Sequence, residues 1–195
     1  MIRSVCVYCS SSTKLDECYY RDASLAGEAF AQAHIHLVFG GGHAGLMGAM
    51  ADRLLECGGS ATGVIPRFMY EEGWQHPALT DLRVVETMHE RKALMAQLAD
   101  AAVALPGGVG TFDELFEIIT WKQLGLFNKP VVILNTNKYY RHLINMLHTA
   151  ARQHFLRDEH LQMWDIVDTP EQIIPALNNA VDCRKIYNAL QLCKI

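Results

Sequence analysis

The sequence predicts a doubly wound α/β fold, a mostly parallel sheet flanked by helices on both faces, and three observations carry that prediction. Short, wholly apolar runs of the kind found in strands buried on both faces alternate with longer amphipathic segments. The connections between them are short, as in strand–helix–strand crossovers. Glycine-rich segments at Gly40 and Pro106 follow two of the apolar runs directly, at the strand ends where such folds bind ligands.

The elements follow in order. Ile2 to Tyr8 reads as a strand and Asp16 to Ala33 as a helix, with Ala23, Ala26, Phe30 and Ala33 on one stripe. His36 to Phe39 is a strand, Ala44 to Cys57 a helix, and Ala61 to Ile65 a strand stopped by Pro66. Leu82 to Val85 is a strand, Glu90 to Leu98 a helix, Ala101 to Leu105 a strand and Val109 to Leu124 a helix. Val131 to Leu134, Tyr139 to Ala151, Ile166-Val167 and Pro170 to Asn178 continue the alternation as strand, helix, strand and helix. The segment Arg67 to Thr80 has no clear period, and a connection of that length is expected to cover a site. The whole is Rossmann-like, read as a single domain over 1–195; residues 180–195 form a tail whose pattern selects neither a helix nor a loose end.

Composition limits the function. A chain that is 50% hydrophobic at 195 residues can bury one sizeable core, and a formal charge of −4 argues against a general grip on nucleic acid or an anionic membrane surface. No apolar run reaches the ~18 residues of a membrane span, and no leader pattern opens the chain. A cytoplasmic protein is expected. Six scattered cysteines do not form a disulfide framework. Cys6 and Cys9 make a literal C-x-x-C, but on a strand positions three apart face opposite ways, so buried thiols are expected. The nine histidines show no ligand spacing, and no metal is expected.

Gly40-Gly41-Gly42-His43-Ala44-Gly45 contains G-x-G-x-x-G between a strand and a helix, in the setting of a dinucleotide loop. The acidic residue that would hold the ribose is missing from the next strand end, which reads Gly63-Val64-Ile65-Pro66-Arg67, and no glycine-lysine-serine or -threonine ending marks a P-loop. A mononucleotide fits better. Pro106 to Glu114 opens a helix with glycines, whose free N–H groups suit a phosphate, and sets Glu114 one turn inside it. Met88-His89-Glu90-Arg91-Lys92 brings two cations to a neighbouring strand end, unfavourable at a helix start unless an anion is near. Simple roles compete: Asp113, Glu114 and Glu117 as an acidic helix face, and Thr111 as a cap. Trp74, Trp121 and Trp164 read as core or interface residues.

Together, Arg91-Lys92 and Pro106-Gly107-Gly108-Val109-Gly110-Thr111-Phe112-Asp113-Glu114 resemble the paired signature of the LOG family, the cytokinin riboside 5′-monophosphate phosphoribohydrolases. Its pattern is P-G-G-x-G-T-x-x-E preceded by an R-K pair. Gly45-Leu46-Met47-Gly48, Val64-Ile65-Pro66 and Ile119 to Gly125 resemble it also, and the likeness runs from about Val5 to Leu147. It implies hydrolysis of the N-glycosidic bond of an adenosine-type 5′-monophosphate, without a cofactor, by a homodimer. Arg91 and Glu114 would be the catalytic pair. Glu72, Lys92, the stretch Gly108, Val109, Gly110, Thr111, Phe112, Asp113 and Thr120 would contact the nucleotide, with Ser11, Gly41 and Gly42 as further contacts. The family's early Gly-Ser-Ser stands here as Ser10-Ser11-Ser12. Proteins with this signature also carry the label lysine decarboxylase, which would need pyridoxal phosphate on a lysine, and a non-catalytic nucleotide carrier or sensor is the alternative from another class.

Overall fold

The computed structural model describes residues 2–79 and 81–181. Seven strands, β1 (Ser4–Tyr8), β2 (His36–Phe39), β3 (Ala61–Pro66), β4 (Asp81–Val85), β5 (Ala101–Ala104), β6 (Val131–Leu134) and β7 (Asp165–Val167), form one sheet in the order β4-β3-β2-β1-β5-β6-β7. Every strand pair in it is parallel. Val5 is paired with Leu37 of β2 on one side and Ala101 of β5 on the other, so the winding direction reverses at β1. That reversal opens a crevice at the carboxyl ends of β1 and β5.

Among the described residues, seven helices cover the sheet: α1 (Glu17–Gln32), α2 (Gly45–Glu56), α3 (Arg67–Glu71), α4 (Met88–Leu98), α5 (Val109–Gln123), α6 (Arg141–Arg152) and α7 (Ile173–Asn179). Strand alternation divides the core in two. Val5, Val7 and Cys9 pack with Phe30, Leu46, Met50 and Leu54 of α1 and α2 and Ile173 and Leu177 of α7. Cys6 and Tyr8 pack on the opposite face with Met95, Leu115, Ile118 and Leu147 of α4, α5 and α6. The C-x-x-C therefore spans both layers as two free, buried thiols, and burial raises both thiol pKa values.

The differences from the sequence reading are local. α4 starts at Met88 because the Thr87 side chain caps it, accepting from the Glu90 N–H at 3.1 Å. Arg91 and Lys92 thus belong to its second turn and are buried rather than set at a solvated start. The connection after β3 contains the single turn α3, which buries no residue and so leaves no periodic trace. Gly108, not Thr111, is the cap residue of α5. A 3₁₀ turn, Thr136–Lys138, precedes α6, and another, Pro170–Gln172, precedes α7. Thr80 and the tail from residue 182, including Cys183 and Cys193, lie outside the described residues.

α1 and α2 cross closely at Gly27, where an added Cβ would stand 2.3 Å from the Met50 carbonyl oxygen. Backbone cannot yield as a side-chain tip does. Gly27→Ala is expected to destabilise the chain by about 2 kcal/mol or more, read as a lower urea midpoint at unchanged slope; an unchanged midpoint would mean the helices separate freely.

Candidate active site

The crevice holds a cavity of about 470 Å³, a size that suits a nucleotide-sized ligand. Tyr8, Cys9 and Ser10 to Ser12 line it from the end of β1, Gly40 from the end of β2, Met88 and Arg91 from α4, and Gly108 to Thr111 with Asp113 and Glu114 from α5. The loop Pro106 to Gly108 is fixed from behind: the Ser10 N–H donates to the Pro106 carbonyl at 3.2 Å, Tyr139 Oη to the Gly107 carbonyl at 2.6 Å and Tyr140 Oη to the Leu105 carbonyl at 2.7 Å. Thr111 presses on Gly107, where a Cβ would come within 2.1 Å of its Oγ1. Gly108 and Gly110, by contrast, face open space. The first-turn N–H groups of α5 have no helical acceptor and are offered to whatever enters there.

Arg91 is held by its neighbours. Its Nε donates to the Val64 carbonyl and its Nη2 to the Gly40 carbonyl, both at 3.0 Å, leaving Nη1 4.0 Å from Glu114 Oε1. Gly40 is glycine because that guanidinium occupies the space: a Cβ would sit 1.9 Å from Nη2. The other glycines of the segment serve packing too. Gly41, at φ +73°, lies against Gly63, Gly45 admits the backbone of Ser10 to Ser12, and Gly48 admits the His43 carbonyl. The apparent dinucleotide loop thus packs the arginine and its neighbours, while Gly40 and Gly42 also line cavity walls.

Glu114 has a side chain only 11% exposed, and burial pushes its pKa up to about 7. Arg91 and Lys92 oppose that rise, while Asp113 and Glu117 add to it. Lys92 is itself buried, with Nζ 2.9 Å from Asp113 Oδ2 and 3.2 Å from Glu117 Oε2. Burial works against its charge, but the two carboxylates outweigh it and leave its pKa raised.

Of the residues singled out from sequence, Arg91, Ser11, Gly108 to Thr111, Asp113 and Glu114 meet at this cavity. Lys92 does not line it; its Nζ pairs with Asp113 and Glu117 on α5. Phe112 turns into the core against the Tyr140 ring. Thr120 is exposed further along α5, its hydroxyl donating to the Phe116 carbonyl at 2.7 Å. Glu72 caps the end of α3 and is exposed, and Gly41 lines no cavity wall. Tyr8 and Met69 also line the cavity without belonging to any motif, and Cys9, Met47 and Met88, which stand within quoted motifs, were not assigned to the site.

A second, more apolar cavity of about 420 Å³ adjoins the first and shares Ser11, Gly40, Met47, Met69 and Arg91 with it. Gly42, Ile65 and Trp74 complete its wall. Trp74 is half exposed and held through an isolated bridge between Gly42 and Gln75. The long connection therefore does border the site. Among the described residues, no lysine lines either cavity, and there is no cluster of three metal-ligating side chains. Among them, no helix is long and apolar enough to cross a membrane.

The family model described as possible lysine decarboxylase matches residues 47–177. A cytokinin riboside 5′-monophosphate phosphoribohydrolase from Rhodococcoides fascians is 47% identical over 79% of this chain and 78% of its own. The chain belongs to the LOG family. A second LOG relative, the cytokinin riboside 5′-monophosphate phosphoribohydrolase LOG3 of Arabidopsis thaliana, is 35% identical over 98% of this chain and 88% of its own. Among solved structures, the molybdenum cofactor carrier protein of Chlamydomonas reinhardtii matches with a TM-score of 0.71 over 92% of this chain and 98% of its own. At 18% identity, that likeness shows that LOG proteins and the carrier share a fold.

A carboxyl with a raised pKa binds its proton more tightly folded than unfolded, so its contribution to stability is present below the unfolded value and is lost as pH rises toward about 7. Glu114→Gln removes that loss. At pH 8 the variant is expected to be more stable by about 2 kcal/mol, a rise in melting temperature of roughly 4–8 °C, with little difference at pH 5; equal melting temperatures at both pH values would mean Glu114 is well solvated.

Proposed function

We propose that this chain is a phosphoribohydrolase that cleaves the N-glycosidic bond of cytokinin riboside 5′-monophosphates, releasing free base and ribose 5-phosphate. The observation that carries the reading is the desolvated Glu114 carboxyl one turn inside a helix whose open N-terminus faces the same cavity. The 5′-phosphate rests on Gly108, Val109, Gly110 and Thr111, and Asp113 borders the sugar. This anchoring fixes the ribose without entering the reaction. As the bond from C1′ to the base nitrogen breaks, positive charge builds on the sugar ring, and the Glu114 carboxylate stabilises it. Glu114 also takes a proton from the attacking water, whose oxygen forms the new bond to C1′, and that proton leaves with the base nitrogen. Arg91 orients Glu114 and holds substrate oxygens with its Nη1 edge.

The adjoining apolar cavity supports a prenylated base. Met47, Met69 and Trp74 suit a prenyl substituent on N6 of adenine, where plain adenine would leave apolar surface unfilled. Glu72 and Thr120 reach a nucleotide in this reading only by movement of α3 or from a second copy. A homodimer is part of the proposal: Val109, Phe116 and Leu124 leave an exposed apolar stripe along α5, with Leu126 beyond it. So are a single-domain organisation and a cytoplasmic setting.

The test is product analysis with AMP, isopentenyladenosine monophosphate and isopentenyladenosine side by side. Both monophosphates are expected to release free base, the prenylated one by about 10-fold greater kcat/KM, and the nucleoside at least ~10²-fold less well than its monophosphate. With pH, kcat/KM is expected to rise through about 7 as Glu114 ionises. Glu114→Gln keeps substrate binding but lowers kcat/KM by about 10³-fold. Lysine turnover with added pyridoxal phosphate, or unchanged base release by Glu114→Gln, would overturn the reading.

A further inference from the structure

We infer that Lys92 is a positioning residue: by pairing with Asp113 and Glu117 on α5, it offsets the charge of the two carboxylates flanking Glu114 and leaves Glu114 as the acting carboxylate of the site. This rests on the phosphoribohydrolase reading and specifies how the catalytic helix is set.

The geometry is specific. Arg91 and Lys92 are consecutive on α4 and so point about 100° apart. Arg91 goes to the sheet edge and binds the carbonyls of Gly40 and Val64. Lys92 goes to the neighbouring helix, with Nζ at 2.9 Å from Asp113 and 3.2 Å from Glu117, and it is absent from the cavity wall. Arg91 thereby fixes α4 to the sheet, and Lys92 fixes α5 to α4. Asp113 and Glu117 are one turn apart, a spacing at which like charges destabilise a helix. Both border Glu114, and both favour its proton.

The remaining groups that face Glu114 do not replace Lys92. From β1 come Tyr8, Cys6 and Cys9, all buried and held neutral by raised pKa values, and Tyr140, before α6, is buried and neutral in the same way. Among the described residues, Arg91 is the other cation that lowers the pKa of Glu114. Without Lys92, Arg91 alone would face three carboxylates. A substrate phosphate would then approach an excess of negative charge, and the pKa of Glu114 would rise further.

A double-mutant cycle tests this. K92M is expected to lower kcat/KM for isopentenyladenosine monophosphate by about 10²-fold and to move the acid limb of its pH profile to higher pH. K92R, which keeps the charge, is expected to restore most of the activity and the wild-type acid limb. In a D113N/E117Q background, K92M is expected to cost less than about 3-fold, because the charges that Lys92 offsets are gone. The comparison of triple with double variant needs no folded K92M chain. Equal losses in the two backgrounds, or an unmoved acid limb with K92M, would make Lys92 a direct substrate contact and overturn the inference. Base release by the unmodified chain separates the two readings: its absence overturns the function and this inference together, whereas base release with equal losses overturns this inference alone.

Discussion

Burying a carboxyl costs free energy unless it is paired, and this fold places Glu114 where pairing is only partial. Its nearest cation, Arg91 Nη1, stands 4.0 Å away, while the rest of that guanidinium is committed to two backbone carbonyls. The result is a carboxyl poised near neutral pH, stabilised enough to ionise and not enough to be inert. Much of the local structure keeps this balance. Glycine at position 40 admits the arginine, the Thr87 cap sets the turn of α4 that presents it, and two tyrosine hydroxyls hold the loop that starts α5.

The site lies where the sheet topology makes room. Because β2 and β5 flank β1, the connections leaving β1 and β5 diverge, and the cavity forms between them. The molybdenum cofactor carrier protein shares this fold, and a fold does not by itself set a function. The site of this chain is set by the content of one edge: a first helical turn open to an anion, a buried carboxyl one turn further on, and an adjoining apolar chamber.

Much of this was legible in the sequence. All seven strands could be placed: the inner five from short apolar runs, since strands buried on both faces need no alternation, and the partly exposed edge strands β4 and β7 from the strand–helix succession. Arg91 and Glu114 were legible because each is tied to a local pattern, a cation beside a strand end and a carboxylate behind a glycine turn. The roles of the glycines at 40, 41, 45 and 48 were not, because a glycine that admits a neighbour and one that admits a ligand look the same until the neighbour is seen. Nor was the direction of Lys92, which depends on how α4 and α5 pack, or the single turn α3, too short for a period to show. The methionine and tyrosine side of the cavity was silent, since tertiary placement alone gives those residues their task.

The site depends on Glu114 titrating near neutrality inside the fold. Its carboxyl carbon can be followed by NMR through a pH titration of chain labelled at glutamate side chains, with the Glu114→Gln variant assigning the resonance. A midpoint near 7 is the result this account requires. A midpoint near the ordinary carboxylate value of about 4.3 would contradict it, because Glu114 would then be solvated and its environment would not tune it for catalysis.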